Sequence, residues 1–357
     1  HFQKAIGAAS TRLLIIERKD RMIKILIVDD SAFMRKILSD LFAAEQDFTV
    51  IEVARNGKDA LEKAKKYKPD VITMDVEMPI MDGIQALEAI MREVPTPVVM
   101  VSSQTLDGAE ATIRALSLGA MDFIAKTSGP IGNIDGIRDD ILLKCRMAAN
   151  VNVKQLCQPL TAPPGVANPA PVFGNSGIGK EKIVVIGTST GGPRALQEVI
   201  TKLPGNLPCG ILIVQHMPPG FTKSLADRLN SLSSLKVKEA EQNDPVSPGV
   251  VLIAPGDYHM TLERFGGKVV AHLNQQPPVG GHRPAVDPMM ESAVRLYGAH
   301  TVGVLLTGMG RDGSRGLQMI RQRNGYTIAE DKSTAVVFGM PKAAIELNAV
   351  DLVLPIP

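Results

Sequence analysis

Lys182-Ile183-Val184-Val185-Ile186-Gly187-Thr188-Ser189-Thr190-Gly191-Gly192-Pro193 is an apolar run that meets a glycine-bracketed serine and then a proline. The run reads as a buried strand, and proline suits the first turn of a helix. Glycines on both sides of Ser189 let the backbone turn sharply, so the serine is presented at a strand-to-helix junction with helix amides facing it. Gly187-x-Ser189-x-Gly191 fits the short nucleophile-elbow pattern, whose chemistry is acyl transfer. A glycine-rich turn of this kind also binds phosphates, so by itself the stretch leaves a serine hydrolase and a nucleotide site both open.

Strand-helix alternation continues on either side. Toward the N-terminus, strands are predicted at 24–28, 49–53, 71–74, 98–101 and 123–125, with helical periodicity between them, as in Phe33, Ile37, Leu38, Leu41 and Phe42. Toward the C-terminus they are predicted at 183–186, 211–214, 250–253, 268–271, 302–306 and 327–329. Between Leu156 and Gly179 the periodicity stops, and 24 residues hold five prolines and four glycines. The expected fold class is therefore α/β: two doubly wound parallel-sheet domains, at 22–147 and 180–357, joined by a Pro/Gly-rich linker at 148–179. Residues 1–21 precede Met22 and are expected to be an expression remnant or an upstream extension.

Composition narrows the function. The 357 residues carry 39 basic and 37 acidic side chains, a formal net charge of +2, so there is no basic footprint for nucleic acid. Cys145, Cys157 and Cys209 lack metal-ligand spacing, which fits a reducing, cytoplasmic setting. Apolar runs such as Leu13-Leu14-Ile15-Ile16 fall far short of a membrane span, and no membrane insertion is expected.

In open parallel sheets, ligand chemistry belongs at the carboxyl ends of the strands. In the first domain Asp29 and Asp30 end the first strand and Asp75 ends the third, while Ser102 and Lys126 close the fourth and fifth. Carboxylates gathered at one edge repel each other unless a cation sits among them, and oxygen-only ligands favour magnesium. A cation, a hydroxyl and an ammonium around a carboxylate suit phosphoryl transfer. Taken singly, Asp29 or Asp30 could equally cap the next helix. Together with Phe123 these residues resemble a two-component response-regulator receiver domain over about 22–147. The resemblance implies a flavodoxin-like sheet, Asp75 as phosphoacceptor from a histidine kinase, and Ser102, Phe123 and Lys126 as switch residues. It also implies Mg2+ held by Asp30, Asp75 and the backbone carbonyl of Glu77, with Asp29 helping to position it.

The second domain then carries the output. A serine nucleophile needs a base, and His216, after Ile211-Leu212-Ile213-Val214-Gln215, ends a strand on the same sheet edge as Ser189. The loop Thr307-Gly308-Met309-Gly310-Arg311-Asp312-Gly313 offers Asp312 to orient the imidazole and the Met309 amide to an oxyanion. An aspartate in such a loop is otherwise often a helix cap. His282 and Arg283 could face a substrate or belong to the surface. The chain order Ser189, His216, Asp312 is not that of ordinary α/β-hydrolases, where the acid comes between serine and histidine.

Together these motifs resemble the chemotaxis protein-glutamate methylesterase family over essentially all of 22–357. The resemblance implies a Rossmann-like catalytic domain with Ser189 as nucleophile, His216 as general acid/base and Asp312 as its orienting carboxylate, with Thr190 and Met309 lining the oxyanion side. It implies phosphorylation-activated hydrolysis of glutamate methyl esters, and deamidation of glutamines, on methyl-accepting chemoreceptors. A chemotaxis histidine kinase would be the phosphodonor, and the ester step itself would use no cofactor. A DNA-binding output does not fit so large and weakly basic a domain.

Overall fold

The computed structural model describes residues 22–103, 105–126, 137–151, 153 and 182–356. Residues 1–21 and most of the 148–179 linker, on which expectations were placed, lie outside the described residues.

The first domain is a five-stranded parallel sheet of β1 (Ile23–Val28), β2 (Phe48–Ala54), β3 (Val71–Asp75), β4 (Val98–Ser102) and β5 (Asp122–Ala125), in the order β2-β1-β3-β4-β5. Helices α1 (Ala32–Ala43), α2 (Gly57–Tyr67), α3 (Gly83–Glu93), α4 (Leu106–Ser117) and α5 (Arg138–Ala148) cover it. On α1 the apolar stripe buries Leu38, Leu41 and Phe42, and Phe42 meets Phe48 of β2 with ring centroids 5.0 Å apart. Strand order reverses between β1 and β3, which opens a crevice at their carboxyl ends. Neither Asp29 nor Asp30 caps α1: Ser31 is the cap, and Asp29 instead accepts the Ser31 amide at 2.9 Å.

The second domain is a seven-stranded parallel sheet: β6 (Lys182–Thr188), β7 (Cys209–Gln215), β8 (Lys236–Glu239), β9 (Val250–Ile253), β12 (Thr301–Leu305), β13 (Tyr326–Glu330) and β14 (Leu352–Leu354). Their order is β14-β13-β12-β6-β7-β9-β8, flanked by α6 (Gly192–Ile200), α7 (Phe221–Leu232), α8 (Val286–Tyr297), α9 (Ser314–Gln322) and α10 (Met340–Glu346). Central β7 is buried along its whole length, as expected of a strand covered on both faces. The chain moves from β6 one way to β7 and later returns on the other side to β12, so the reversal point lies at β6. Residues following β6, β7 and β12 are thereby brought together.

Four strands differ from the sequence reading. The predicted strand at 268–271 is part of β11 (Lys268–Asn274), which pairs antiparallel with β10 (His259–Phe265) in a two-stranded ribbon outside the parallel sheet. Gly266 and Gly267 at its tip take φ of 58° and 79°, the left-handed pair that a tight hairpin demands. The partner strand β10 and the edge strands β8 and β14 were not predicted. Lys236-Val237-Lys238-Glu239 is mostly charged and Leu352-Val353-Leu354 is only three residues, so neither carries a periodic signal.

One buried hydrophobic cluster runs across both domains. Ile113 and Leu116 of α4 belong to the same buried cluster as Phe221 and Leu225 of α7. Phe123 of β5 stacks on Phe221 at 4.4 Å and 28°, and Ser117 meets Gln197 of α6 at 3.1 Å. Among the described residues, no helix is long and apolar enough to cross a membrane. Phe221 is fully buried where the cores merge. Truncation to Ala is expected to lower unfolding stability by about 3–5 kcal/mol. Urea melts that shift by under about 1 kcal/mol would contradict this packing.

Candidate active site

The turn after β6 is clamped from both sides. The Ser189 amide donates to the Thr307 carbonyl at 3.0 Å, and the Ser189 carbonyl accepts from the Gly192 amide at 2.8 Å and from Gln215 Nε2 at 2.9 Å. Gly191 starts α6 at φ 81°, a conformation that other residues rarely adopt. A Cβ on Gly192 would lie 2.0 Å from Gln215 Oε1, so the close approach of turn and strand needs glycine there.

His216 leaves β7 beside this turn. Its Nε2 lies 2.8 Å from Asp312 Oδ2, and both side chains are under a tenth exposed. Asp312 also accepts the amides of Val286 at 2.6 Å and Asp287 at 3.0 Å, the first turn of α8. It is thus a helix cap after all, of α8 rather than of the helix that follows it, and the imidazole partner as well. Burial pushes the Asp312 carboxyl up, but the His216 contact and the two amides outweigh that and hold it below the usual carboxylate range. With Nε2 committed to Asp312, the other ring nitrogen, Nδ1, is buried without a hydrogen-bond partner. The pairing assigns the proton to Nε2 and leaves the Nδ1 lone pair free. The ring is therefore turned the other way round from a triad in which Nδ1 faces the acid.

His282 stacks on His216, with centroids 3.8 Å apart and planes at 8°. Burial, and then the neighbouring His216, depress its pKa to about 4. Arg283 is occupied elsewhere: its Nε and Nη2 donate to Asp257 at 3.0 and 2.5 Å, and Nη1 donates to the carbonyls of Gln275 and Gln276 at 3.2 Å. Those contacts fasten the loop that carries His282.

Ser189, His216, Thr190 and Met309 line one cavity of about 300 Å³. Its opposite wall is first-domain material, including Asp122, Phe123 and Lys144. Thr190 Oγ1 donates to Asp122 Oδ2 at 2.5 Å across the boundary. Lys144 is half-buried among Asp122 at 3.7 Å, Asp140 at 3.0 Å and the Phe123 carbonyl at 2.7 Å. Sequence reasoning missed Asp122, Lys144 and Gln215 as functional neighbours, because their relevance arises from docking of the two domains or from a side chain folding back under the turn.

At the first domain's edge, the carboxylate oxygens of Asp29, Asp30 and Asp75 lie within 4.8 Å of one another. Lys126 Nζ reaches Asp75 at 2.8 Å and Asp29 at 3.4 Å. Burial first, then the Asp75 charge, raise the Asp29 pKa despite that ammonium. One lysine against three crowded carboxylates leaves room for a divalent cation among hard oxygen donors. Glu77 follows on the exposed loop, and Ser102 Oγ donates to the Gly108 carbonyl at 3.0 Å.

Two family models match this chain, "Response regulator receiver domain" over residues 25–133 and "CheB methylesterase" over 184–357. Relatives named protein-glutamate methylesterase/protein-glutamine glutaminase match it almost end to end. One from Halalkalibacterium halodurans is 49% identical over 332 residues, 92% of this chain and 94% of the relative. One from Thermotoga maritima is 49% identical over 338 residues, 94% and 96% of the two chains. The chain belongs to the protein-glutamate methylesterase/protein-glutamine glutaminase family. A solved structure described as the Thermotoga maritima CheB methylesterase catalytic domain is 53% identical, spans 50% of this chain and 94% of that one, and superposes with a TM-score of 0.49. The methylesterase match includes Ser189, His216 and Asp312, and the receiver match includes the acidic crevice.

His282 makes the stability of this methylesterase-family site sensitive to acid. Its folded pKa of about 4 lies below the ordinary 6.5, so the unfolded chain takes up a proton that the folded chain refuses. The associated stability is complete above pH 6.5 and drains away as pH falls through 4. His282→Phe, which keeps a stackable ring, is expected to reduce the acid loss between pH 7 and 4 by about 3 kcal/mol, read from urea melts. An unchanged pH dependence would show that His282 protonates freely in the fold.

Proposed function

We propose that the chain hydrolyses glutamate methyl esters on methyl-accepting chemoreceptors in the cytoplasm, and deamidates selected glutamines there, under control of phosphorylation at Asp75. The observation that carries this reading is that Ser189 and His216, from adjacent strand ends, line one cavity while Asp312, from the loop after β12, meets His216 Nε2 at 2.8 Å and leaves Nδ1 without a partner.

Ser189 Oγ attacks the ester carbonyl while its proton passes to His216 Nδ1. Asp312 steadies the resulting imidazolium through the Nε2 hydrogen bond. Backbone amides on the Thr190 and Met309 side hold the oxyanion. The carbonyl–oxygen bond to the methoxy group then breaks, and methanol leaves with the proton from Nδ1. Water, deprotonated by the same nitrogen, opens the acyl-serine to give glutamate and free Ser189. A glutamine side chain follows the same course with ammonia as leaving group.

Control comes from the first domain, which walls the cavity. Asp75 accepts a phosphoryl group from a chemotaxis histidine kinase. Asp29, Asp30, Asp75 and the Glu77 carbonyl would hold Mg2+, which when bound offsets phosphoryl charge. Lys126 supplies the fixed positive charge beside Asp75. Phosphorylation rearranges Ser102 and Phe123, and Phe123 is the residue stacked on Phe221, so the rearrangement loosens the domain contact.

Ser189→Ala is expected to cut methanol release from methylated receptor by about 10⁴-fold or more, since nucleophile and base act as a unit. Wild-type turnover in that variant would remove Ser189 from the mechanism. Deleting residues 22–179 is expected to raise the basal rate, while Asp75→Asn holds the full chain at its low rate even with a small phosphodonor and magnesium. A truncated chain slower than the unphosphorylated full chain would make the first domain an activator instead.

A further inference from the structure

Glu330 belongs to none of the motifs that the sequence singles out. It ends β13 on the same carboxyl edge as the active site, and it is only 2% exposed. Its Oε2 accepts the Thr307 amide at 2.7 Å. From Thr307 the nucleophile turn is suspended. The Thr307 carbonyl accepts the Ser189 amide at 3.0 Å and the Thr188 hydroxyl at 3.1 Å, and the Thr307 hydroxyl donates to the Thr190 carbonyl at 2.9 Å. Three consecutive residues, 188–190, take their position from Thr307, and Thr307 is anchored by Glu330. There is little slack in this arrangement: a Cβ on the next residue, Gly308, would lie 2.8 Å from the Ser189 Cβ.

An apolar side chain would fill this place at lower cost. Burial raises the Glu330 pKa to about 7 against the pull of the Thr307 amide and the Thr334 hydroxyl. What a carboxyl supplies that an apolar group lacks is an acceptor for the Thr307 N–H. We propose that Glu330 is a positioning residue for acyl transfer, holding Thr307 so that Ser189 Oγ stands correctly toward His216 Nδ1. The role rests on Ser189 being the nucleophile.

The test measures methanol release from methylated receptor by the full chain, with phosphodonor and magnesium in every arm. Glu330→Gln keeps an acceptor oxygen and is expected to hold kcat within about threefold. Glu330→Met fills similar volume without an acceptor, and is expected to lower kcat about 10- to 100-fold while KM stays within about twofold, the signature of a misplaced reacting group. Glu330→Leu takes its place if Glu330→Met does not fold. Wild-type kcat in the apolar variant, a rise in KM at constant kcat, or a Glu330→Gln as slow as Glu330→Met would each overturn the positioning role. Ser189→Ala runs alongside: if it is active, the nucleophile assignment fails and the role of Glu330 fails with it.

Discussion

The Asp312 carboxylate joins two parts of the molecule that have no sequence relation. One oxygen is shared between the His216 imidazole and the Val286 amide, and the other takes the Asp287 amide. A charge buried this deeply is tolerable only when its lone pairs are met by donors, and here backbone and side chain meet them together. The consequence is mutual. The N-terminus of α8, which Ala285 leaves without a side-chain cap, gains its anion from the loop after β12. The imidazole gains a partner whose own position is fixed by a helix rather than by a loop alone. Ring orientation follows from the same contact, because Nε2 is the nitrogen it engages.

A second constraint is the extent to which the turn carrying Ser189 is immobilised by main-chain contacts. Ser189 is held through its amide and its carbonyl, so its backbone groups fix the turn. Glycines at 191, 192 and 308 are the steric counterpart, since each marks a place where a Cβ would strike a neighbouring element. Preorganisation of this kind lowers the reorganisation needed as the reaction proceeds.

Domain contact adds a layer that neither sheet contains alone. The stack of Phe123 on Phe221 and the short Thr190–Asp122 hydrogen bond place first-domain groups against the residue next to Ser189. Because Phe123 and Asp122 sit on β5, adjacent to the strand that ends in Ser102, a change at the acidic crevice has a short structural route to that contact. Tethering in one chain keeps the two surfaces at high effective concentration, so a modest change in the contact is enough to shift the balance.

Local rules made much of this legible in the sequence. Apolar runs meeting glycine and proline marked most of the parallel strands, and residues one or two places past a strand end are placed at the sheet edge by topology alone. Hence Ser189, His216, Asp29, Asp30 and Asp75 could be named from position and chemical type, and Asp312 from the glycine-rich loop that follows a strand. The antiparallel ribbon of β10 and β11 and the edge strands β8 and β14 were not legible, since short or charged segments take their pairing from neighbours rather than from their own periodicity. The sequence by itself determined which chemical groups reach each sheet edge. Only the tertiary structure decided how they are shared: that Asp312 also caps α8, that Nδ1 is the free nitrogen, that Arg283 is spent on Asp257, and that Glu330 anchors Thr307. Each of these depends on hydrogen-bond directions between residues some 23 to 96 positions apart, which no local pattern of side-chain types encodes.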